Sequence, residues 1–192
     1  NDPTVRTVDV AYERVADALG VDAAPLAELA DELPLAVAST GLPFLVVPAT
    51  YLEVVGAADP DDEAVAALCE AVDAEGLYLF TFDALAAESD LHGRAFVPLA
   101  GIPEDPVTGT ASGAVAGYLR RHGAFDRMPE ELRIEQGHYV DRPGLVRVRA
   151  REEITVGGSA VVEDEVVVLG VDGEEGPLDD VDWPLGGCPV TA

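Results

Sequence analysis

The feature that most constrains the fold is a small-residue run inside residues 101–121, GIPEDPVTGTASGAVAGYLRR. Residues 110–119 carry no charged side chain and include two glycines and three alanines. A helix that faces water on one side needs polar residues there, whereas a helix that is apolar or small all round is buried all round. We therefore predict a central buried helix here, with Arg120 and Arg121 placed favourably at its C-terminus.

The start of this predicted helix combines a carboxylate with free backbone N–H groups. Asp105 precedes the first turn, and Thr108 and Thr110 are residue types that cap helices. Gly109 allows a ligand to approach the backbone closely. Because the N–H groups of a first helical turn form an anion site, the pattern predicts anion binding beside Asp105.

The charge balance describes a globular chain with a very acidic surface. The 192 residues include 37 acidic and 11 basic ones, which gives a formal net charge of −26, while 48% of the residues are hydrophobic. Every basic residue is arginine, a composition that resembles that of salt-adapted proteins, in which screening reduces self-repulsion. This charge argues against a nucleic-acid or anionic-membrane partner. The absence of lysine excludes a lysine Schiff base and a P-loop lysine.

Cysteine, histidine and hydropathy patterns favour a cytoplasmic protein without a metal site. Cys69 and Cys188 are too few for a disulfide framework, which favours a reducing compartment. The three histidines have no ligand spacing. No apolar run reaches the length of a membrane span. Because the chain begins with Asn1 and its one methionine is Met128, we expect it to be processed, split or truncated.

Hydrophobic periodicity predicts an α+β fold, in which a mixed, largely antiparallel sheet is curled into a barrel around the central helix. One domain is expected over residues 1–172, followed by an acidic tail over residues 173–192. A proline after the cap position predicts helices at residues 25–33 and 59–72. Apolar and alternating runs predict strands at residues 4–10, 35–39, 44–47, 77–82, 94–97, 132–135, 145–150, 154–156 and 160–169.

Residues 104–110, EDPVTGT, resemble the signature EDP-x-TG-[ST] of the PhzF-like isomerases of phenazine biosynthesis, which share the diaminopimelate epimerase fold. Supporting pieces occur in the family's order at residues 39–44, 94–96, 135–137, 142–143 and 156–158. The resemblance implies two similar domains, each a sheet rolled around a central helix, with the active site between them. This chain resembles the second domain, and nothing in it corresponds to the first.

The resemblance also implies a chemistry and a role for each site residue. These enzymes move a proton next to an acidifying group on a small carboxylate-bearing substrate, without a cofactor. Asp105 would assist proton transfer, Thr110 would bind the substrate carboxylate, and the N–H groups around Gly109, Thr110 and Ala111 would hold it. The family's principal acid/base, a glutamate of the first domain, would come from a domain in cis or in trans. No cysteine lies at the helix start, which disfavours a two-thiol mechanism.

Several alternatives stay open at this point. Asp105 can belong to an ordinary turn and the two threonines to an ordinary cap, and Glu104 is either adjacent to the site or paired with an arginine. The whole chain can be a non-catalytic binding module that needs a partner chain, and a homodimer is possible. A hydrolase fits poorly, because Ser112 lacks the spacing of a nucleophile elbow.

Overall fold

The computed structural model of the chain describes residues 3–159. Within this part, strands β1–β9 are Thr4–Thr7, Ala36–Ser39, Pro43–Pro48, Gly76–Thr81, Leu91–Val97, Ile102–Asp105, Leu132–Gln136, Gly144–Arg149 and Thr155–Gly157. Helices α1–α5 are Tyr12–Leu19, Ala24–Ala27, Leu52–Ala57, Asp62–Ala71 and Gly109–His122. Two short 3-10 helices cover Pro98–Ala100 and His138–Val140.

The nine described strands form one mixed sheet. Its order is β1-β2-β3-β4-β5-β7-β8-β9, and β6 also pairs with β5. The pairs β3/β4 and β5/β7 are parallel and the other pairs are antiparallel. The sheet is curled into an open half-barrel, so the mixed, largely antiparallel sheet is confirmed, whereas closure around a central helix stays a prediction.

Strand side chains alternate between two apolar cores, one on each face of the sheet. On β3, Phe44 and Val46 join the core that contains the buried residues of α5, and Leu45 and Val47 join the core that contains those of α1–α4. We call these the α5 face and the outer face. On β8 the pattern is simpler, because buried Val146 and Val148 alternate with exposed Arg147 and Arg149. Strand β8 therefore has one buried and one wet face.

Helix α5 is buried along most of its length, over residues 111–119. A Cβ on Gly117 would lie 2.6 Å from the Pro3 Cβ and 3.3 Å from the Ile154 Cδ1. These neighbours precede β1 and β9, the two outer strands of the sheet, so both ends of the sheet approach the same face of α5. The helix ends at His122, and Arg120 in its last turn donates to the carbonyls of Ala150 and Glu152.

Several element boundaries differ from the predictions. The helix expected at residues 25–33 is the single turn α2, because the chain continues as turns to residue 33. Helix α3 and strand β6 were not predicted. Helix α4 begins later than predicted, at Asp62 instead of residue 59, because its N-cap is Asp61, whose carboxylate accepts from the Ala64 N–H at 2.9 Å. The strand expected at residues 160–169 and the tail at residues 173–192 lie outside the described residues.

No helix in residues 3–159 is long and apolar enough to cross a membrane.

Replacing Gly93 with alanine is predicted to destabilise the sheet. A Cβ at this position would collide with the Tyr78 hydroxyl and lie 2.6 Å from the Tyr78 ring carbons Cε1 and Cζ. Because overpacking a dense core costs about 1–3 kcal/mol, Gly93→Ala should lower the free energy of unfolding by that amount, measured by urea denaturation at constant salt.

Gly41→Ala is the matched control for this prediction. Apart from Gly41 itself and its two chain neighbours, no heavy atom of residues 3–159 lies within 4 Å of a Cβ built there. Its free energy of unfolding should change by no more than about 0.5 kcal/mol. Equal effects of the two substitutions would show that Tyr78 does not occupy the space above Gly93.

Candidate active site

The candidate site forms where two strands end against the same edge of β5. Strand β7 runs parallel to β5 and ends with Gln136 opposite Gly93. Strand β6 runs antiparallel and ends with Asp105 opposite Ala95. The carboxyl ends of both strands therefore meet beside Arg94. This arrangement brings together two residues that are 31 positions apart in the chain.

The Gln136 side chain connects these strand ends to the start of α5. Its Nε2 donates to the Asp105 carbonyl at 2.6 Å and to the Thr108 Oγ1 at 3.0 Å. Its Oε1 accepts from the Thr108 N–H at 3.3 Å and from the Tyr78 hydroxyl at 3.1 Å. Gln136 and Tyr78 are fully buried. Burial raises the pKa of the Tyr78 phenol well above its usual range, so Tyr78 stays protonated and is a hydrogen-bond donor.

Thr108 occupies the N-cap position of α5 without capping it through its side chain. Its backbone is extended, at φ −115° and ψ 90°, as expected for an N-cap residue. Its hydroxyl nevertheless donates to Asp105 Oδ2 at 2.6 Å. The side-chain cap considered from sequence is therefore wrong for Thr108. The first-turn N–H groups of Gly109, Thr110 and Ala111 thus lack an N-cap side-chain acceptor, which leaves them suited to an anion.

The structure places the predicted site residues together. Asp105 is half-buried and three residues before the N-cap, Gly109 and Thr110 are half-buried, and Ala111 is buried in the first turn. The Thr40 hydroxyl donates to the Thr110 carbonyl at 3.1 Å and links the β2–β3 turn to this end of the helix. A carboxylate beside free helix N–H groups can bind an anionic ligand and exchange a proton with it.

Glu104 lies on the opposite side of the sheet from Asp105, because neighbouring strand residues point to opposite faces. Its carboxylate accepts from Arg94 Nε at 3.1 Å and Nη2 at 2.7 Å, and both side chains are less than 10% exposed. Arg94 also donates to the carbonyls of Val55 and Ala58 near the end of α3. Its guanidinium lies 4.7 Å from the centre of the Tyr139 ring. Of the two alternatives for Glu104, the structure shows the pairing with an arginine.

A second polar group on the outer face joins β5, β7 and the loop before β5. The fully buried His92 contacts Glu135 at 2.8 Å through Nδ1, and the Glu135 carboxylate also accepts from the N–H groups of Leu85 and Ala86. These hydrogen bonds outweigh burial and lower the pKa of Glu135. His138 packs against His92, with ring centres 5.1 Å apart. This group holds the chain in place and does not contact Asp105.

The other candidate side chains in residues 3–159, Cys69 and Ser112, have structural roles. Cys69 lies in the outer-face core, where burial raises the pKa of its thiol to about 12, so it is a neutral core residue at pH 7. Ser112 is fully buried and its hydroxyl donates to the Thr108 carbonyl at 2.8 Å. No group of three or more potential metal ligands occurs in the described part of the chain. Cys188 lies outside that part.

Sequence reasoning missed two residues that organise the site, Gln136 and Tyr78. From the sequence, Gln136 was noted only within a supporting motif at residues 135–137, and Tyr78 only within the strand predicted at residues 77–82. Neither was predicted to lie at the site. A glutamine at the end of a strand signals a buried polar contact only weakly. The partner of that contact cannot be read from sequence, because it depends on which strands share the edge of β5.

Comparison with known proteins agrees with the signature at residues 104–110. The family model of phenazine biosynthesis-like proteins, PhzC-PhzF, matches residues 1–166. The chain belongs to this family. A relative from Bacillus subtilis, named an uncharacterized isomerase, is 32% identical over 158 residues, which cover 79% of this chain and 52% of the relative. The chain thus spans about half the length of such PhzC-PhzF relatives.

Two further similarities are to a solved structure and to a protein named as an isomerase. A solved structure from Pseudomonas aeruginosa, described as a predicted epimerase, aligns with a TM-score of 0.64 at 30% identity and covers 82% of this chain and 52% of that one. The trans-2,3-dihydro-3-hydroxyanthranilate isomerase of Pseudomonas chlororaphis is 40% identical over 57 residues, which are 30% of this chain and 20% of the relative. The family and its mixed, curled sheet are therefore shown.

Replacing Glu104 with glutamine should destabilise the PhzC-PhzF chain strongly. Removing one partner of a buried ion pair leaves an uncompensated charge, here that of Arg94, and typically costs about 3–5 kcal/mol. We expect Glu104→Gln to lower the free energy of unfolding by about 3 kcal/mol in urea denaturation.

Glu131→Gln is the matched control. Glu131 lies 3.5–3.9 Å from Arg133, Arg147 and Arg149, whose side chains are 40–69% exposed. Because exposed ion pairs contribute little, this change should cost no more than about 1 kcal/mol. A similar cost for both substitutions would contradict the assignment of the Arg94–Glu104 pair as the stabilising one.

Acidification should destabilise the chain through His92. Burial lowers the pKa of this imidazole, an effect that Glu135 opposes and that His138 and Arg94 reinforce. Between the ordinary value of 6.5 and the lower folded value, the unfolded chain binds the proton and the folded chain does not. His92 therefore stabilises the fold above pH 6.5, and this contribution is lost as the pH falls below it, by up to about 1.4 kcal/mol per pH unit.

The pH dependence of the free energy of unfolding tests this assignment. His92→Gln should flatten the curve between pH 6.5 and 5, which lies above the ordinary value of 4.5 from which the pKa of Glu135 is lowered. The pKa of His122 is also lowered by burial. The control His122→Gln should therefore remove only that group's share and keep the His92 slope. An unchanged curve in His92→Gln would refute the prediction.

Proposed function

We propose that the protein is an isomerase or epimerase that moves a proton on a small carboxylate-bearing metabolite without a cofactor. This chain would supply half of an active site that lies between two domains. The observation that carries the proposal is the position of the Asp105 carboxylate beside a first helical turn whose N-cap hydroxyl is engaged elsewhere. Membership of the PhzC-PhzF family supports the same chemistry.

Each part of the site has one task in the proposed reaction. The N–H groups of Gly109, Thr110 and Ala111 and the Thr110 hydroxyl hold the substrate carboxylate. The positive end of α5 stabilises the negative charge that develops next to it. Asp105 donates or accepts the proton at the neighbouring carbon. The second acid/base is supplied by a domain in cis or in trans, which corresponds to the part of the relatives that this chain does not match.

The names of relatives support the substrate class. The Pseudomonas chlororaphis relative acts on trans-2,3-dihydro-3-hydroxyanthranilate, a compound whose name includes a carboxylate. A carboxylate is also among the anionic groups that the N–H groups of a first helical turn bind. We therefore assign the carboxylate to α5 and leave the rest of the substrate to the other half of the site.

A second candidate is a non-catalytic module that binds a partner chain. Apolar side chains near the start of α5 favour it: Val107 is 44% exposed and Val156, whose Cγ1 lies beside Gly109, is 40% exposed. Such a rim fits a partner surface, which can equally be the other domain or a second copy. Size-exclusion chromatography of the chain in high salt separates the two candidates, because a stable monomer argues against an obligate partner.

The catalytic proposal is tested by two substitutions in the complete enzyme. Turnover of trans-2,3-dihydro-3-hydroxyanthranilate and of related carboxylates is followed in D2O, where proton transfer also introduces deuterium. Asp105→Asn should lower kcat at least about 100-fold, the lower range for loss of a general acid or base. Thr110→Val should raise KM about tenfold, as expected for a lost hydrogen bond to a charged group.

Thr110→Ser is the control, because it keeps the hydroxyl and should keep KM near the wild-type value. The proposal fails if Asp105→Asn and Thr110→Val both leave the turnover of a substrate unchanged.

A further inference from the structure

We propose that Gln136 is a positioning residue that keeps the Thr108 hydroxyl on Asp105 and away from the α5 N–H groups. In this way one buried amide prepares both halves of the candidate site, the proton-transferring carboxylate and the anion-binding helix start. The inference deepens the proposed function and rests on it for its catalytic consequences. Its structural part stands on the hydrogen bonds alone.

Two partners determine the orientation of the Gln136 amide, because one can only donate a hydrogen bond and the other can only accept one. The Thr108 N–H can only donate, so the atom facing it is Oε1, and the Asp105 carbonyl can only accept, so the atom facing it is Nε2. A flipped amide would place the NH2 group against the Thr108 N–H and the amide oxygen against the Asp105 carbonyl oxygen, so neither hydrogen bond could form. The assignment therefore does not depend on Thr108 Oγ1 or on Tyr78.

The orientation of the amide determines the direction of the next hydrogen bond. Gln136 Nε2 donates to Thr108 Oγ1, which thereby uses the hydroxyl as an acceptor. The one proton of the Thr108 hydroxyl then points to Asp105 Oδ2, at 2.6 Å. Oδ2 is thus occupied by a donor, whereas no side chain or N–H group of residues 3–159 donates to Oδ1, which can exchange a proton with a substrate.

The surroundings of Gln136 keep this chain of hydrogen bonds rigid. Gln136 is fully buried, and Thr108 is 6% exposed. The next residue, Gly137, has a φ of +83°, and a Cβ on it would lie 2.6 Å from the Pro106 carbonyl oxygen. Two successive residues at the end of β7 therefore hold the loop between Asp105 and α5. Gln136 holds it through side-chain hydrogen bonds, and Gly137 allows the Pro106 carbonyl to approach closely because it has no side chain.

Without Gln136, the Thr108 hydroxyl has a competing use. Threonine at an N-cap position normally accepts from the N–H of the second or third helical residue, here Thr110 or Ala111. A rotation to that cap would release Asp105 Oδ2 and would place an oxygen where the substrate carboxylate binds. Gln136 prevents the rotation because its Nε2 holds Oγ1 and its Oε1 holds the Thr108 N–H.

A substrate-free experiment tests the structural part on the 192-residue chain. The probes are the backbone N–H resonances of Thr110 and Ala111 and the side-chain carboxyl carbon resonance of Asp105, assigned with Asp105→Asn. In Gln136→Met one of the two N–H groups should gain a hydrogen bond, shown by a downfield shift and slower hydrogen exchange, and the Asp105 resonance should move. In Thr108→Val the Asp105 resonance should move without a new N–H hydrogen bond, because valine cannot cap.

Thr108→Ser keeps the hydroxyl and should restore the wild-type Asp105 resonance, which separates the hydrogen bond from a general packing effect. If Gln136→Met does not fold, the valine and serine variants of Thr108 still test the contact with Asp105. An Asp105 resonance that is identical in Thr108→Val and the wild type would overturn the inference. So would a folded Gln136→Met variant whose Thr110 and Ala111 N–H groups are unchanged.

Kinetics of the complete enzyme test the catalytic part through a split between kcat and KM. A misplaced catalytic group costs up to about 100-fold in rate, so both Thr108→Val and Gln136→Met should lower kcat about tenfold or more. Gln136→Met alone should also raise KM, because the new cap competes with the substrate carboxylate. The double variant Gln136→Met/Thr108→Val should return KM to the wild-type value.

A double variant with the same raised KM as Gln136→Met would overturn the competing-cap mechanism. If no carboxylate is turned over by the wild-type enzyme, the proposed function fails while the resonance experiment still decides the role of Gln136.

Discussion

The buried amide of Gln136 is the constraint on which the candidate site depends. A buried polar group costs free energy unless its donors and acceptors are satisfied, and this amide has four partners, supplied by three residues from β4, β6 and the α5 N-cap. Satisfying it therefore requires those elements to meet at one point. The position of Asp105 relative to α5 follows from this requirement as much as from the loop that joins them.

The two faces of the sheet divide the polar residues into a reactive set and a structural set. Because side chains alternate along a strand, the adjacent acids Glu104 and Asp105 point to opposite faces. Glu104 completes a buried ion pair with Arg94 on the outer face, near α3. Asp105 lies on the α5 face, where its carboxylate meets one hydroxyl donor. The Arg94–Glu104 pair fixes the position of β6 on the outer face, and this also fixes the position of Asp105, the next residue of the strand.

Thr108 shows that a local sequence rule for helix capping can be overridden by a tertiary contact. Its residue type and position at the start of a helix predict a side-chain cap, and its backbone has the expected extended geometry. The hydroxyl nevertheless donates to Asp105, because the Nε2 of Gln136, on a distant strand, donates to the Thr108 oxygen. In the same way strand β6 was not predicted, since a short, largely exposed strand has no periodic signal and is defined by its pairing with β5.

The sequence by itself determined the mixed α+β class, the strongly acidic composition, the small-residue helix that became α5, and the signature that places Asp105 before the helix start. These follow from composition, from periodicity and from a continuous motif, all of which are local properties of the chain. The tertiary structure alone decided that β6 and β7 end at the same edge of β5, so that Gln136 meets Asp105. That pairing joins segments about 30 residues apart in the chain, and which strands share an edge is selected by the packing of both sheet faces rather than by any local propensity.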